Sequence, residues 1–138
     1  MDKMKETLAQ AEFEDDPSAT VTVCNELGGF YRAFSRYNEG IPLYEKALGC
    51  IRRLGLENSE GHGTTLLNFA TTLAIVGQQD RALDAYQQAA GIFEEMDDNL
   101  ELVARILNAM SVEDRGAIMG VMDAEIAAKL TKIMDPAS

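Results

Sequence analysis

Apolar residues along the chain recur at steps of three and four, the spacing that places side chains on one face of a helix. Alternation of the strand type is nearly absent. Capping and turn residues divide the pattern into about eight helices. The spacing predicts the first from Asp2 to Glu14. The second opens at Asp16-Pro17, a capping residue followed by proline at the first helical position, and reaches Phe34. The third begins near Asn38 and stops at Gly55, with Pro42 in or just after its first turn, where the missing N–H costs least. A polar loop, Glu57-Asn58-Ser59-Glu60-Gly61, precedes a fourth helix from Gly63 to Val76, ended by Gly77. Asp80 caps the fifth, which runs to about Met96. Asp97 or Asp98 caps the sixth, which runs to about Met110. Two shorter helices follow, from Val112 to Val121 and from Ala124 to Met134. Connections this short imply antiparallel neighbours, so the expected fold is all-α, an antiparallel helix-pair solenoid ending in short superhelical helices.

The helices carry a repeat. Leu27-Gly28-x-x-Tyr31 is followed by Tyr37, Tyr44 and Ala47, and a step of 42 residues places Phe69-Ala70-x-x-Leu73 under the first group. The same step places Tyr86 under Tyr44, Ala89 under Ala47, and Ala82 in the small-residue slot held by Gly40. Small residues there let paired helices approach closely, while Leu and aromatic positions fill the gaps between pairs. This pattern resembles the tetratricopeptide repeat, in the long-helix form found in kinesin light chains. The resemblance covers about residues 20–110, with the first helix standing as the second helix of a truncated preceding repeat, so residues 1–110 are expected to form one unit. Cys24 stands where tryptophan is common, Ser35 where the turn often has glycine, and Gln79 where an aromatic is usual.

Such repeats imply a partner, an extended peptide or a helix, held on the concave surface lined by the first helix of each pair. In this chain that face is expected to carry Thr22, Asn25, Gly29 and Arg32, then Thr64, Asn68, Thr71 and Ile75. Asn25, Asn68 and Asn108 recur once per repeat. A side-chain amide both donates and accepts, so a row of them can hold the main chain of a ligand or can bond across adjacent helices of the scaffold; both readings stand. The candidate groove set is therefore Asn25, Arg32, Asn68, Thr71, Ile75 and Asn108. The clamp with which some members grip a terminal carboxylate needs several basic residues, and this face offers only Arg32 and Arg105. A receptor for chaperone tails is not expected.

After Asn108 the period changes to 12: Ile106-x-x-x-Met110-Ser111, Ile118-x-x-x-Met122-Asp123, Leu130-x-x-x-Met134-Asp135. Each methionine is followed by Ser or Asp, residues that cap a helix start. This segment, about residues 102–136, resembles the short-helix superhelix of the MgtE-type magnesium-transporter N-terminal domain and of MotE-type flagellar motor chaperones. That resemblance implies a short-helix unit over 102–138 sharing a junction helix with the first unit. It would also cast Asp114, Asp123, Glu125 and Asp135 as cation sensors, although capping alone explains Asp123 and Asp135. Two repeat types meeting in one helix, with Asp135-Pro136 opening another helix near Ser138, fit either a fragment or a recombination of natural helical pieces. Beside the peptide-binding scaffold stand two further readings: a chimeric chain whose product is its own fold, and a regulatory domain sensing a divalent cation.

Composition narrows the chemistry. The chain has 138 residues, enough for one stable domain, and a formal net charge of −11, a field that repels phosphate backbones and disfavours nucleic acid. No apolar run is long enough for a membrane span and no signal peptide is visible, so a cytoplasmic protein is expected. Cys24 and Cys50 lie among apolar residues and read as buried thiols. His62 is the one histidine, placed in a loop between two glycines, which excludes a two-histidine metal site or a triad. No carboxylate falls in an apolar setting and no phosphate-binding loop is present. Neither catalysis nor a cofactor or metal site is expected, and the chain is either a monomer or a homodimer.

Overall fold

A computed structural model describes residues 2–94, 100–108, 112–121 and 124–135. These form α1 (Asp2–Phe13), α2 (Pro17–Ala33), α3 (Tyr37–Arg53), α4 (Glu60–Ile75), α5 (Gln79–Glu94), α6 (Leu100–Asn108), α7 (Val112–Val121) and α8 (Ala124–Met134). No strand occurs among the described residues. The expected ends and caps at Met96, Asp97, Asp98, Met110, Ser111, Met122, Asp123 and Pro136 lie outside them.

Asp16 caps α2 as expected, its side chain accepting from the Ala19 N–H at 3.1 Å, with Pro17 at the first helical position. The start of α4 differs from the sequence reading. Ser59 is its cap, accepting from the His62 N–H at 3.1 Å, so Glu60 to His62 are helix and not loop. The glycine after His62 is a packing glycine: a Cβ on Gly63 would lie 2.8 Å from the Phe93 ring. Similarly, α3 starts at Tyr37 and α5 at Gln79, which places Asp80 in the first turn rather than at the cap.

The first four helices stop in one way. Asp15, Ser35, Gly55 and Gly77 all have positive φ, at steps of 20, 20 and 22 residues. In each case the following N–H reaches back to the carbonyl five residues earlier, as in Asp16 to Ala11 at 2.9 Å and Arg36 to Tyr31 at 2.8 Å. Leu56 bonds Ile51 at 3.1 Å and Gln78 bonds Leu73 at 2.9 Å in the same way. This closure satisfies carbonyls that the last turn leaves open. Glycine makes the turn without strain at two stops, whereas Asp15 and Ser35 carry the steric cost of the left-handed conformation.

Packing follows chain order. The pairs α2–α3 and α4–α5 are the tightest, α1 lies on α2, α3 on α4, and α2 also touches α4. One core cluster joins Leu8 of α1 to Val23, Cys24, Leu27 and Tyr31 of α2 and Ala47 of α3. A larger one runs from Tyr44 and Leu48 through Leu73 and Phe93 to Leu107 and Leu130, so α6 and α8 share the core of α3–α5. The Arg115 guanidinium donates to the Leu107 carbonyl at 3.0 Å, fastening α7 to the end of α6. Exposed ion pairs link α1, α3 and α5: Lys46 with Glu12, Arg53 with Asp15 and Arg81 with Glu45, each at 3.0 Å. At such exposure each contributes at most about 1 kcal/mol.

Candidate ligand-binding face

The face to consider is formed by α2 and α4, the first helices of the two pairs. Core contacts occupy the side of α2 bearing Thr20, Cys24, Leu27 and Tyr31. At about 100° per residue, Thr22, Glu26, Gly29 and Ala33 turn to the opposite side, and Asn25 and Arg32 turn toward α4. On α4 the corresponding outward positions are Thr64, Asn68, Thr71 and Ile75. Thr22 and Thr64 are exposed, and Ile75 is 51% exposed, a large apolar group facing solvent.

The amides are partly spoken for. Asn25 Nδ2 donates to Thr65 Oγ1 at 3.1 Å, across the α2–α4 seam. The Thr65 hydroxyl itself donates to the Gly61 carbonyl at 2.9 Å, so it can only accept from Asn25, which fixes the amide orientation. Asn25 Oδ1 is then buried with no hydrogen-bond partner among the described residues. Arg32 Nη1 approaches Asn68 Oδ1 at 3.5 Å, a long contact over the same seam. Asn25 and Asn68 are 43 residues apart, one more than the repeat step, so they do not occupy equivalent positions: Leu67 corresponds to Asn25. Thr71 is half-buried; its hydroxyl donates to the Leu67 carbonyl at 2.9 Å and accepts from the Tyr86 hydroxyl at 3.1 Å. Asn108 is exposed on α6, which packs on α5 and α8, and no hydrogen bond joins it to Asn25 or Asn68.

Two residues that shape this face were not among the candidates nominated for it, although Tyr44 was recognised as a repeat position. Tyr44, fully buried, lays its ring against α2 so closely that a Cβ on Gly28 would lie 2.8 Å from it. Its hydroxyl has no partner among the described residues, and burial pushes its pKa up while the nearby Arg32 charge opposes. Thr65 was not singled out because its partner Asn25 lies 40 residues away in the chain. The repeat step held a usable signal for Tyr44, because it places Gly29 where Thr71 partners Tyr86.

The pairing of α2 with α3 and of α4 with α5, 42 residues apart, is matched over residues 18–95 by a family model described as tetratricopeptide repeat. The chain belongs to the tetratricopeptide-repeat family. No curated protein matches it. Repeats of this family are generally protein-interaction modules. Burial pushes the Cys24 thiol up to about 11, with Lys46 pulling the other way, so it stays protonated near neutrality. Among the described residues no group of three or more His, Cys, Asp or Glu is placed to hold a metal ion. Of the four acidic residues cast as cation sensors, Glu125 pairs with Lys129 at 3.6 Å, and Asp135 is exposed beyond α8. Asp123 and the side chain of Asp114 lie outside the described residues. No helix among the described residues is long and apolar enough to cross a membrane.

Proposed function

We propose that this tetratricopeptide chain holds an extended peptide or a partner helix against the α2–α4 face, without chemistry. The observation that carries this reading is the row Asn25, Arg32, Asn68, Thr71 and Ile75 on one face. There a buried amide oxygen, a guanidinium and an exposed apolar side chain lie beside open space at Gly29, whose Cβ position has no neighbour within 4 Å. An amide oxygen that accepts nothing within the described fold gains a bond if the Asn25 side chain turns outward to meet a ligand's main-chain N–H. The long Arg32–Asn68 contact gives way readily to a shorter one with a ligand carbonyl. Net negative charge favours neutral or basic partners by steering. The test is selection from a displayed peptide library followed by titration against Asn25→Ala, Arg32→Ala and Asn68→Ala. A selected ligand should lose about tenfold or more in affinity with each. Ligands indifferent to all three would sink the reading.

We further infer that residues 1–110 form the tetratricopeptide unit, of the long kinesin-light-chain-like type, and that 102–138 form a short-helix unit joined through α6. The 42-residue step and the 12-residue methionine period support this division. Deleting residues 112–138 should leave α1–α5 cooperatively folded but expose Leu107, and collapse of the entire helical signal would count against it.

A further inference from the structure

On the other side of α4 from this face lies a cleft of about 400 Å³, walled by α3 and α5. Three helical stripes build it. Leu48 and Arg52 come one turn apart on α3; His62, Leu66 and Phe69 follow on α4; Asp80, Arg81, Asp84, Ala85 and Gln88 close the α5 side. The floor is apolar and the rim is charged. His62 is only 9% exposed, yet it lines this cleft and also a smaller one beside Asn58 and Ile92. Its Nδ1 accepts the Asn58 N–H at 2.9 Å, a bond that requires the neutral ring to carry its proton on Nε2. That Nε2–H has no acceptor among the described residues. That donor is not sealed from solvent, so it is free to donate to a group bound beside it in the cleft.

The cations are unequal. Arg81 is held by Glu45 at 3.0 Å and by Gln78 at 2.7 Å, and its guanidinium lies over the Phe69 ring at 5.5 Å. Arg52 has no carboxylate partner among the described residues. Arg52, with no carboxylate partner among the described residues, and the His62 imidazole thus line the same cavity. Asp80 and Asp84 occupy the opposite wall, where they oppose any anion and a doubly charged phosphate about twice as strongly as a single carboxylate, which leaves the α3 side beside Arg52 as the place for the charge.

We propose that this cleft binds a carboxylate carried on a small apolar body. His62 Nε2–H and Arg52 take the carboxylate, and Leu48, Leu66 and Phe69 receive the body. The site does not depend on the α2–α4 face and goes beyond the reading given there. Its size falls at the lower end of small-molecule pockets, which suits a short aliphatic or aromatic acid. The same group ends a peptide, so the shared chemistry is a terminal carboxylate next to an apolar group.

The test titrates the full chain with hexanoate, followed by amide and imidazole NMR shifts, with hexanol and hexyl phosphate as controls. Hexanoate should saturate near about 1 mM, as expected for so few heavy atoms, and should move the His62 Nε2–H resonance. Arg52 is exposed, so Arg52→Gln leaves the fold intact and should weaken binding about tenfold. A second arm compares a tetrapeptide ending in leucine with its C-terminal amide; the tighter of the free acid and the peptide acid identifies the source. No saturable shift with either acid overturns the proposal. So does equal binding by hexanol, or an unchanged isotherm in Arg52→Gln with the His62 resonance unmoved.

Discussion

The two tetratricopeptide pairs place a tyrosine at the same position and treat it in opposite ways. In α2–α3, Gly28-Gly29 lets the Tyr44 ring settle against the backbone of α2, and the hydroxyl is left buried without a partner. In α4–α5, Ala70-Thr71 stands in place of the two glycines, and Thr71 receives the Tyr86 hydroxyl at 3.1 Å. The first pair takes close packing and forgoes a hydrogen bond; the second does the reverse. They differ in what they leave at the α2–α4 face: open space beside Gly29 at one repeat, a filled and bonded threonine at the next.

The largest effect expected from breaking this contrast is at Gly28. Gly28→Ala forces the fully buried Tyr44 ring to move and should destabilise by about 1–3 kcal/mol, read as a lower urea midpoint. An unchanged midpoint would mean the ring is free to shift. Next come the hydroxyls, whose removal should act with opposite signs. Tyr86→Phe loses the bond to Thr71 and should cost about 1 kcal/mol, whereas Tyr44→Phe removes an unpartnered group and should stabilise by about as much. Equal losses from both would refute the contrast.

The helix stops sharpen it at smaller scale. Ser35→Gly should stabilise by about 0.5–1 kcal/mol, since a side chain in the left-handed conformation is strained, and Gly77→Ala at the equivalent stop should cost a similar amount. Calorimetry on the pair would show whether the two turns are interchangeable.

The smallest expected difference is one of pH. His62 has Thr20 as its counterpart in the first pair, so only the second pair contains a titrating imidazole. Burial holds His62 below its ordinary value of 6.5, with Arg52 adding to the effect and Glu57 opposing it. The unfolded chain therefore binds the proton first as pH drops below 6.5, and stability falls on acidification in that window. It is restored as pH rises back through it. His62→Gln should flatten the slope there, and an unaltered slope would assign it to carboxylates instead.

Much of this was legible in the sequence because helix periodicity and the 42-residue step are local signals. Asp16-Pro17 and the glycine stops at Gly55 and Gly77 were visible for the same reason. What remained hidden depended on distant partners. Gly61-His62-Gly63 has the composition of a loop, and only Phe93, thirty positions further on, reveals Gly63 as a contact glycine. Asp15 and Ser35 stop helices without glycine, supported by the back-bonding of the next N–H rather than by their own preference. For the candidate face, sequence could nominate Asn25 and Asn68. It could not show that they bond to Thr65 and Arg32, because the extra residue in their spacing turns them about 100° relative to each other.

The order of packing has a consequence for how the protein is made. Each of α1 to α5 finds its main partner in a helix next to it in the chain, so a chain emerging N-terminus first from a ribosome does not wait for its far end. Once about fifty-five residues are out, Leu8, Val23, Leu27, Tyr31 and Ala47 can close around Cys24, while α4 is still being synthesised. The unpartnered flank of α3 then serves as the template on which α4 and α5 add. Synthesis proceeds by extension of a finished edge, and at no stage must a newborn segment search back across the whole molecule.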